Sequence, residues 1–281
     1  MAEIWTLKRV PKTNSGFQSF IYQSAQLLNR NFPWRNNPSP YQVLVSECML
    51  QQTQVERVVE YYRKFLHTFP SLKSLAMAPL ASVLRVWSGL GYNRRARNLW
   101  RTAQMLQNSG ARIPDEVEQL CQYPGIGPYT AGAIAAFAYN KATLFIDTNI
   151  RRVYIYYFLF QQKDITDREI MYYVKLTLDS VQPAKWYNAL MDAGSILGKL
   201  LPENPNSKSR KYCKQSSFEG SIRQLRGAIV RKLVMHHSLH IDELAHILHI
   251  SENRIQYVID TLQKEGMLVC EERKVYLGSE T

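Results

Sequence analysis

The chain has 281 residues, 46% of them apolar and 21% charged, which suits one large or two to three smaller globular domains; no apolar run is long enough to span a bilayer. Lysine and arginine number 35 against 23 acidic residues, and the resulting net charge of +12 attracts polyanions over long range, so nucleic acid ranks ahead of an anionic membrane as the partner class. Cys48, Cys121, Cys213 and Cys270 are too scattered for a disulfide framework or a zinc site, and the N-terminal residues do not read as a secretion signal; a reducing cytoplasm is expected, nucleoid-associated or nuclear.

In chain order, residues 1–15 read as a loosely ordered arm. Phe17, Ile21, Ala25 and Leu28 then fall on one helical face, and Phe32-Pro33-Trp34-Arg35 breaks that helix. Residues 41–65 read as two helical pieces. The first carries Glu47 in a stripe with Val43, Leu44 and Leu50, where an unpaired carboxylate is expensive to bury. Either Glu47 pairs with a base at the stripe's edge, or it opens into a cleft where burial favours the protonated carboxyl and lets it act as an acid.

Further helices span 72–87, and Ser88-Gly89-Leu90-Gly91-Tyr92-Asn93 makes a glycine turn before the basic helix of Arg94, Arg95, Arg97 and Arg101, which reads as a solvated face or a strand-tracking surface. A helix over 115–121 leads to Tyr123-Pro124-Gly125-Ile126-Gly127-Pro128-Tyr129-Thr130, a hairpin between helices; a helix from Thr130 to Tyr139 follows. Its two glycines and the helix N-terminus behind them suit a phosphate, although a plain inter-helix turn explains the same residues. Asp147 stands at the N-cap of the next helix, a sufficient structural reason for an aspartate. Helices through Val174 and from Trp186 to Leu197 complete a predominantly helical body, with no strand-like alternation before residue 266.

Pro202 to Ser217 reads as a linker. Beyond it, helices over 222–236, 242–248 and from Ser251 to Lys264, then strands over 267–270 and 275–277, describe a winged helix, whose third helix would offer Arg254, Gln256, Tyr257 and Lys264 to DNA or, in the other reading, bind protein. His236, His237, His240, His246 and His249 lack a consistent ligand spacing and are read as partly exposed helix residues, so no metal site is expected.

The strings Phe32–Arg35, Ser46–Val55, Trp87–Tyr92, Arg95–Leu99, Tyr123–Ile134 and Asp147–Val153 resemble the helix-hairpin-helix DNA glycosylases in sequence and order, most closely the adenine glycosylase (MutY) branch. The resemblance implies an all-α fold of two lobes with DNA across a cleft: a glycosylase domain over 1–201, with a six-helix lobe at about 36–138 and a second lobe from 1–35 and 139–201. A basic linker over 202–219 and a winged-helix domain over 220–281 complete the expected chain. It assigns Glu47 to protonating the departing purine and handling water, Asp147 to stabilising the sugar cation, and Tyr129 and Asn149 to its surroundings. It assigns strand contacts to Gly125, Gly127, Thr130 and Gln51, the gap in the stack to Gln52 and Tyr92, and the flipped base to Arg35 and Asp192.

Strand-cutting relatives carry a lysine where this chain has Tyr129, so a monofunctional enzyme is expected, working as a monomer on mismatched or damaged duplex, with a possible protein partner for the winged helix. The family's iron–sulfur cluster begins at the position of Gly198 here; Cys213 alone lies in the following loop, so a clusterless variant is expected, with Lys199, Lys208, Arg210, Lys211 and Lys214 offered to phosphates. The family's Nudix-like C-terminal domain is replaced by the winged helix. A thymine or uracil glycosylase acting opposite guanine, and a non-catalytic DNA-binding module, are the alternatives.

Overall fold

The computed structural model describes residues 13–28, 30–213 and 217–278. The expected N-terminal arm lies almost wholly outside them, and its last two residues already belong to the first helix, which Thr13 caps by accepting from the Gly16 N–H.

The helices are α1 (Asn14–Gln26), α2 (Pro40–Leu50), α3 (Val55–Thr68), α4 (Leu72–Ala76), α5 (Leu80–Trp87), α6 (Arg94–Asn108), α7 (Val117–Leu120), α8 (Pro128–Tyr139), α9 (Thr148–Phe158), α10 (Asp167–Thr177), α11 (Pro183–Leu200) and α12 (Ile222–His236). Then come β1 (Ser238–His240), α13 (Ile241–Leu248), α14 (Glu252–Lys264), β2 (Leu268–Glu271) and β3 (Lys274–Leu277). Prolines open α2, α8 and α11, where the missing N–H costs nothing, and Asn140 closes α8 in the left-handed conformation. The helix expected over 115–121 is only the single turn α7.

The chain forms two compact units. The first comprises residues 1–43, 114–122 and 126–214. Its core gathers Phe17 and Ile21 of α1, Phe145 of the connector before α9, Ile150 and Tyr154 of α9, and Trp186, Tyr187 and Leu190 of α11, all buried. Gly194 matters here, because a Cβ at that position would stand 2.2 Å from the Asn149 carbonyl oxygen; glycine is what lets the start of α9 lie against α11.

The second unit comprises residues 44–113, 123–125 and 215–281. Val58, Tyr62 and Phe65 of α3, Leu84 and Trp87 of α5, and Leu99 and Trp100 of α6 form its helical core. The C-terminal elements belong to the same unit, with α12 packed against α5. They follow the order helix, strand, helix, helix, hairpin, the arrangement of a winged helix, and make a sheet of order β1-β3-β2 in which both pairings are antiparallel. Strand β1 departs from the sequence reading, which places no strand before residue 266. Three residues are too few to show an alternation, and only pairing with β3, more than 30 residues later, defines them. All five histidines of the C-terminal segment are exposed, and no group of three or more His, Cys, Asp or Glu among the described residues is arranged to hold a metal ion.

Candidate active site

In the second unit, Glu47 sits on α2 and is 4% exposed. A helix leaves its last carbonyls without partners. Here Arg95 supplies them: its Nη1 donates to the carbonyls of Cys48 (2.9 Å), Met49 (2.7 Å) and Gln51 (2.7 Å), and its Nη2 to Thr53 Oγ1 (3.0 Å) and the Gly91 carbonyl (3.1 Å). Burial pushes the Arg95 pKa down to about 10. This corrects the reading of residues 94–101 as one solvated or strand-tracking face, because Arg95 is a buried clamp that ties the end of α2 to the glycine turn before α6. Gln52 and Tyr92 flank that clamp, and both hold left-handed backbone, with φ of 55° and 49°. Gln51 Nε2 reaches the Gly125 carbonyl at 3.4 Å. Gly125 has φ 77°, and a Cβ there would stand 2.7 Å from Asn98 Nδ2, so the turn needs glycine twice over.

The remaining candidates lie in the first unit. Gly127 is the exposed N-cap of α8, and Tyr129 in its first turn packs edge-on against Phe145, with centroids 5.7 Å apart. Thr130, to which the resemblance assigns a strand contact, is 3% exposed, so its side chain is buried in the first turn of α8. Arg35 grips Asp192 with two bonds, at 2.7 Å and 3.0 Å, Arg30 adds a third at 3.1 Å, and the Phe32 ring lies beneath both guanidiniums. Asp192 is therefore held by two cations.

Asp147 caps α9 as expected, with Oδ1 accepting from the Ile150 N–H at 2.6 Å. Its other oxygen accepts from Asn149 Nδ2 at 3.2 Å; Asn149 Oδ1 in turn accepts from Arg152 Nη1 at 3.0 Å, and that nitrogen also donates to the Gly194 carbonyl at 2.6 Å. The chain Arg152–Asn149–Asp147 fixes the carboxylate from both sides. Loss of hydration raises the Asp147 pKa above the ordinary aspartate value, while the N–H groups of Ile150 and Asn149, the Asn149 amide and the Arg152 charge pull against it. Stability and activity then depend on pH in opposite senses. The raised folded-state pKa favours the folded chain below the unfolded value and loses that contribution as pH rises through the folded pKa. Chemistry that uses the anion gains over the same interval. Asn149→Ala should shift the acid limb of any Asp147-dependent rate to higher pH, which a single-turnover pH profile measures; an unmoved limb would remove Asn149 from this role.

Arg152, which holds Asn149, is a residue that sequence reasoning passed over, although its place three residues after Asn149 on one helical face was a readable signal. The segment after α11 is also tied to α9. Asn204 Oδ1 accepts from Arg152 Nε at 3.3 Å, Asn206 Nδ2 donates to the Thr148 carbonyl at 2.9 Å, and Ser209 bridges to Ile165. Gly198 lies against the Arg152 guanidinium, 2.7 Å from where a Cβ would stand, and Cys213 is exposed, so this donor set does not fit a four-thiolate cluster. Arg210 pairs with Asp164 and Lys211 with Asp167, so two of the cations offered to phosphates have acidic partners within the chain; Lys214 lies outside the described residues.

Residues 45–177 match the model of the HhH-GPD superfamily base excision DNA repair proteins. The chain is similar to adenine DNA glycosylases: 35% identical over 215 residues to that of Buchnera aphidicola subsp. Baizongia pistaciae, covering 72% of this chain and 60% of that protein. It is 33% identical over 207 residues to the human one, covering 69% and 36%. The chain thus spans less than two thirds of the length of these relatives. The solved structure of a thermostable thymine-DNA glycosylase aligns with a TM-score of 0.58 at 24% identity, over 65% of this chain and 86% of that one, a likeness of fold.

Proposed function

We propose that this protein is a monofunctional DNA glycosylase that hydrolyses the bond between a flipped-out, mispaired adenine and its sugar, opposite 8-oxoguanine or guanine. The observation that carries the reading is the Asp147 carboxylate, held at the start of α9 by Ile150 and by the Arg152–Asn149 chain. A fixed carboxylate of this kind stabilises the cation that develops on the sugar as the base leaves. Glu47, buried on α2, donates a proton to a purine ring nitrogen, which lets the base depart as a neutral molecule. Water then adds to the sugar carbon and returns its proton to the Glu47 carboxylate. A purine-directed acid is what favours adenine over thymine or uracil.

Tyr129 stands where strand cleavage would need an amine, and a phenol forms no Schiff base. The protein is further proposed to work without an iron–sulfur cluster, on the donor set described above.

A panel of duplexes carrying A opposite 8-oxoguanine, A opposite G, and T or U opposite G, each treated with alkali after incubation, tests the substrate. Cleavage at adenine only after alkali, and no adduct trapped by borohydride, is expected. Cleavage at T or U alone overturns the adenine assignment, and a trapped adduct overturns the monofunctional one.

A further inference from the structure

The Asp147 carboxylate owes its aim to the backbone that carries it. Asp147 is extended, with φ −100° and ψ −177°, and its carbonyl accepts from the Arg151 N–H at 3.0 Å, so slack in the first turn of α9 moves the carboxylate. The close approach of Gly194 to Asn149 restrains that turn from α11. A second restraint comes from the stretch after α11, whose residues 204–209 reach α9 at three points. Asn204 meets Arg152, Asn206 meets the Thr148 carbonyl, and Ser209 Oγ accepts from Arg151 Nη1 at 3.2 Å.

The stretch is itself well held. Asn204 caps a 3₁₀ turn over Pro205–Lys208, its Oδ1 accepting from the Asn206 N–H at 3.2 Å, and the Asn206 carbonyl accepts from the Ser209 N–H at 3.0 Å. The Ile165 N–H donates to the Lys208 carbonyl and the Arg210 N–H to the Ile165 carbonyl, both at 2.9 Å, which anchors the turn to the connection between α9 and α10.

Asn206 stands out within this turn. It is 3% exposed, its Nδ2 donates to Thr148 at 2.9 Å, and its Oδ1 is buried without a hydrogen-bond partner. A leucine of similar size would fill the space without leaving an acceptor unsatisfied. What asparagine adds here is the bond to Thr148, the residue that follows Asp147 and opens α9.

We propose that Asn206 is a positioning residue for the Asp147 carboxylate, holding Thr148, and with it the first turn of α9, in the place from which the carboxylate faces the sugar. This inference rests on the proposed glycosylase reading, which gives the carboxylate its task. Without the Asn206 bond the turn loosens, and the Ile150 N–H and the Asn149 amide lose their alignment on Asp147. Arg152, the charged group that acts on Asp147, keeps its bond to the Gly194 carbonyl.

The test uses the full chain. Asn206→Leu should slow single-turnover adenine excision by about 10- to 100-fold. It should leave affinity for a product-analogue duplex, in which tetrahydrofuran stands for the abasic sugar, unchanged, and the melting temperature no lower than the wild type's. Asn206→Ala, with less bulk to accommodate, should slow excision in the same way. Added to Asp147→Asn, Asn206→Leu should cause no further loss, because it acts through the carboxylate. One readout needs no chemistry: the Asp147 carboxyl, assigned in carbon-13 spectra by its disappearance in Asp147→Asn, should titrate at higher pH in Asn206→Leu as its N–H donors lose alignment. Ser207→Ala, at an exposed residue of the same turn, should match the wild type in every measure.

A wild-type rate and an unmoved Asp147 titration in Asn206→Leu and Asn206→Ala overturn the proposal. So does a fall in rate that merely follows a fall in the folded fraction with the titration unmoved, or an undiminished effect of Asn206→Leu in the Asp147→Asn background. Excision by Asp147→Asn at the wild-type rate would refute the catalytic reading, whereas a raised Asp147 titration in Asn206→Leu would still establish Asn206 as the restraint on that carboxylate.

Discussion

Asp147→Asn is expected to slow adenine excision by about 10²–10³-fold under single-turnover conditions while leaving thermal stability almost unchanged. Two roles meet in this side chain, and the substitution separates them. As an N-cap, Asp147 needs only an acceptor oxygen for the Ile150 N–H, and asparagine provides one as well as aspartate does. As a stabiliser of a cation it needs a negative charge, which asparagine lacks. Glu47→Gln should reduce the rate by about 10³-fold for a different reason, since an amide cannot donate and recover the proton. Both variants should still bind the product-analogue duplex. Excision at the wild-type rate in either would remove that residue from the mechanism, and a large fall in melting temperature for Asp147→Asn would mean that its cap geometry needs more than an acceptor.

The second large effect concerns Arg95, which is 9% exposed and makes five hydrogen bonds within the second unit. Arg95→Met keeps much of the side-chain bulk but strands the carbonyls at the end of α2. Leaving several buried acceptors unsatisfied should cost about 3 kcal/mol or more. For a chain of this size that lowers the melting temperature by roughly 6–12 °C, measurable by scanning calorimetry. Excision should fall too, although Glu47 and Asp147 remain, because Gln51 and Gln52 lose the clamp that sets them. Arg101→Gln, on the exposed face of the same helix, should change stability by no more than about 0.5 kcal/mol. Equal stabilities for the two variants would return Arg95 to the solvated face that its neighbours suggest.

Arg95 also marks where the sequence stops being legible. The helices that carry the candidate site follow from local signals: the apolar spacing through Phe17 and Ile21, Pro128 opening α8, Asp147 opening α9, and Ser251 before α14. Each such signal lies within a few residues of what it specifies. Four consecutive residues with three arginines look like a basic face by composition, and only carbonyls more than 40 residues away show that one of them points inward. Strand β1 and the Gly194 approach to Asn149 depend likewise on distant partners. Arg152 was different, since its link to Asn149 is local and could have been inferred. The helices and the hairpin of the C-terminal segment follow from its own pattern, yet nothing in that pattern shows that its first helix packs against α5.

The strand order of the small sheet has a consequence for biosynthesis. β3 lies between β1 and β2 but is made after both, so neither earlier strand has its partner until Leu277 has emerged from the ribosome. Helix α12 can already pack against α5, but its contact with β3 forms only when the wing is complete. A stalled or prematurely terminated chain would therefore carry both candidate carboxylates, Glu47 and Asp147, without the finished winged helix.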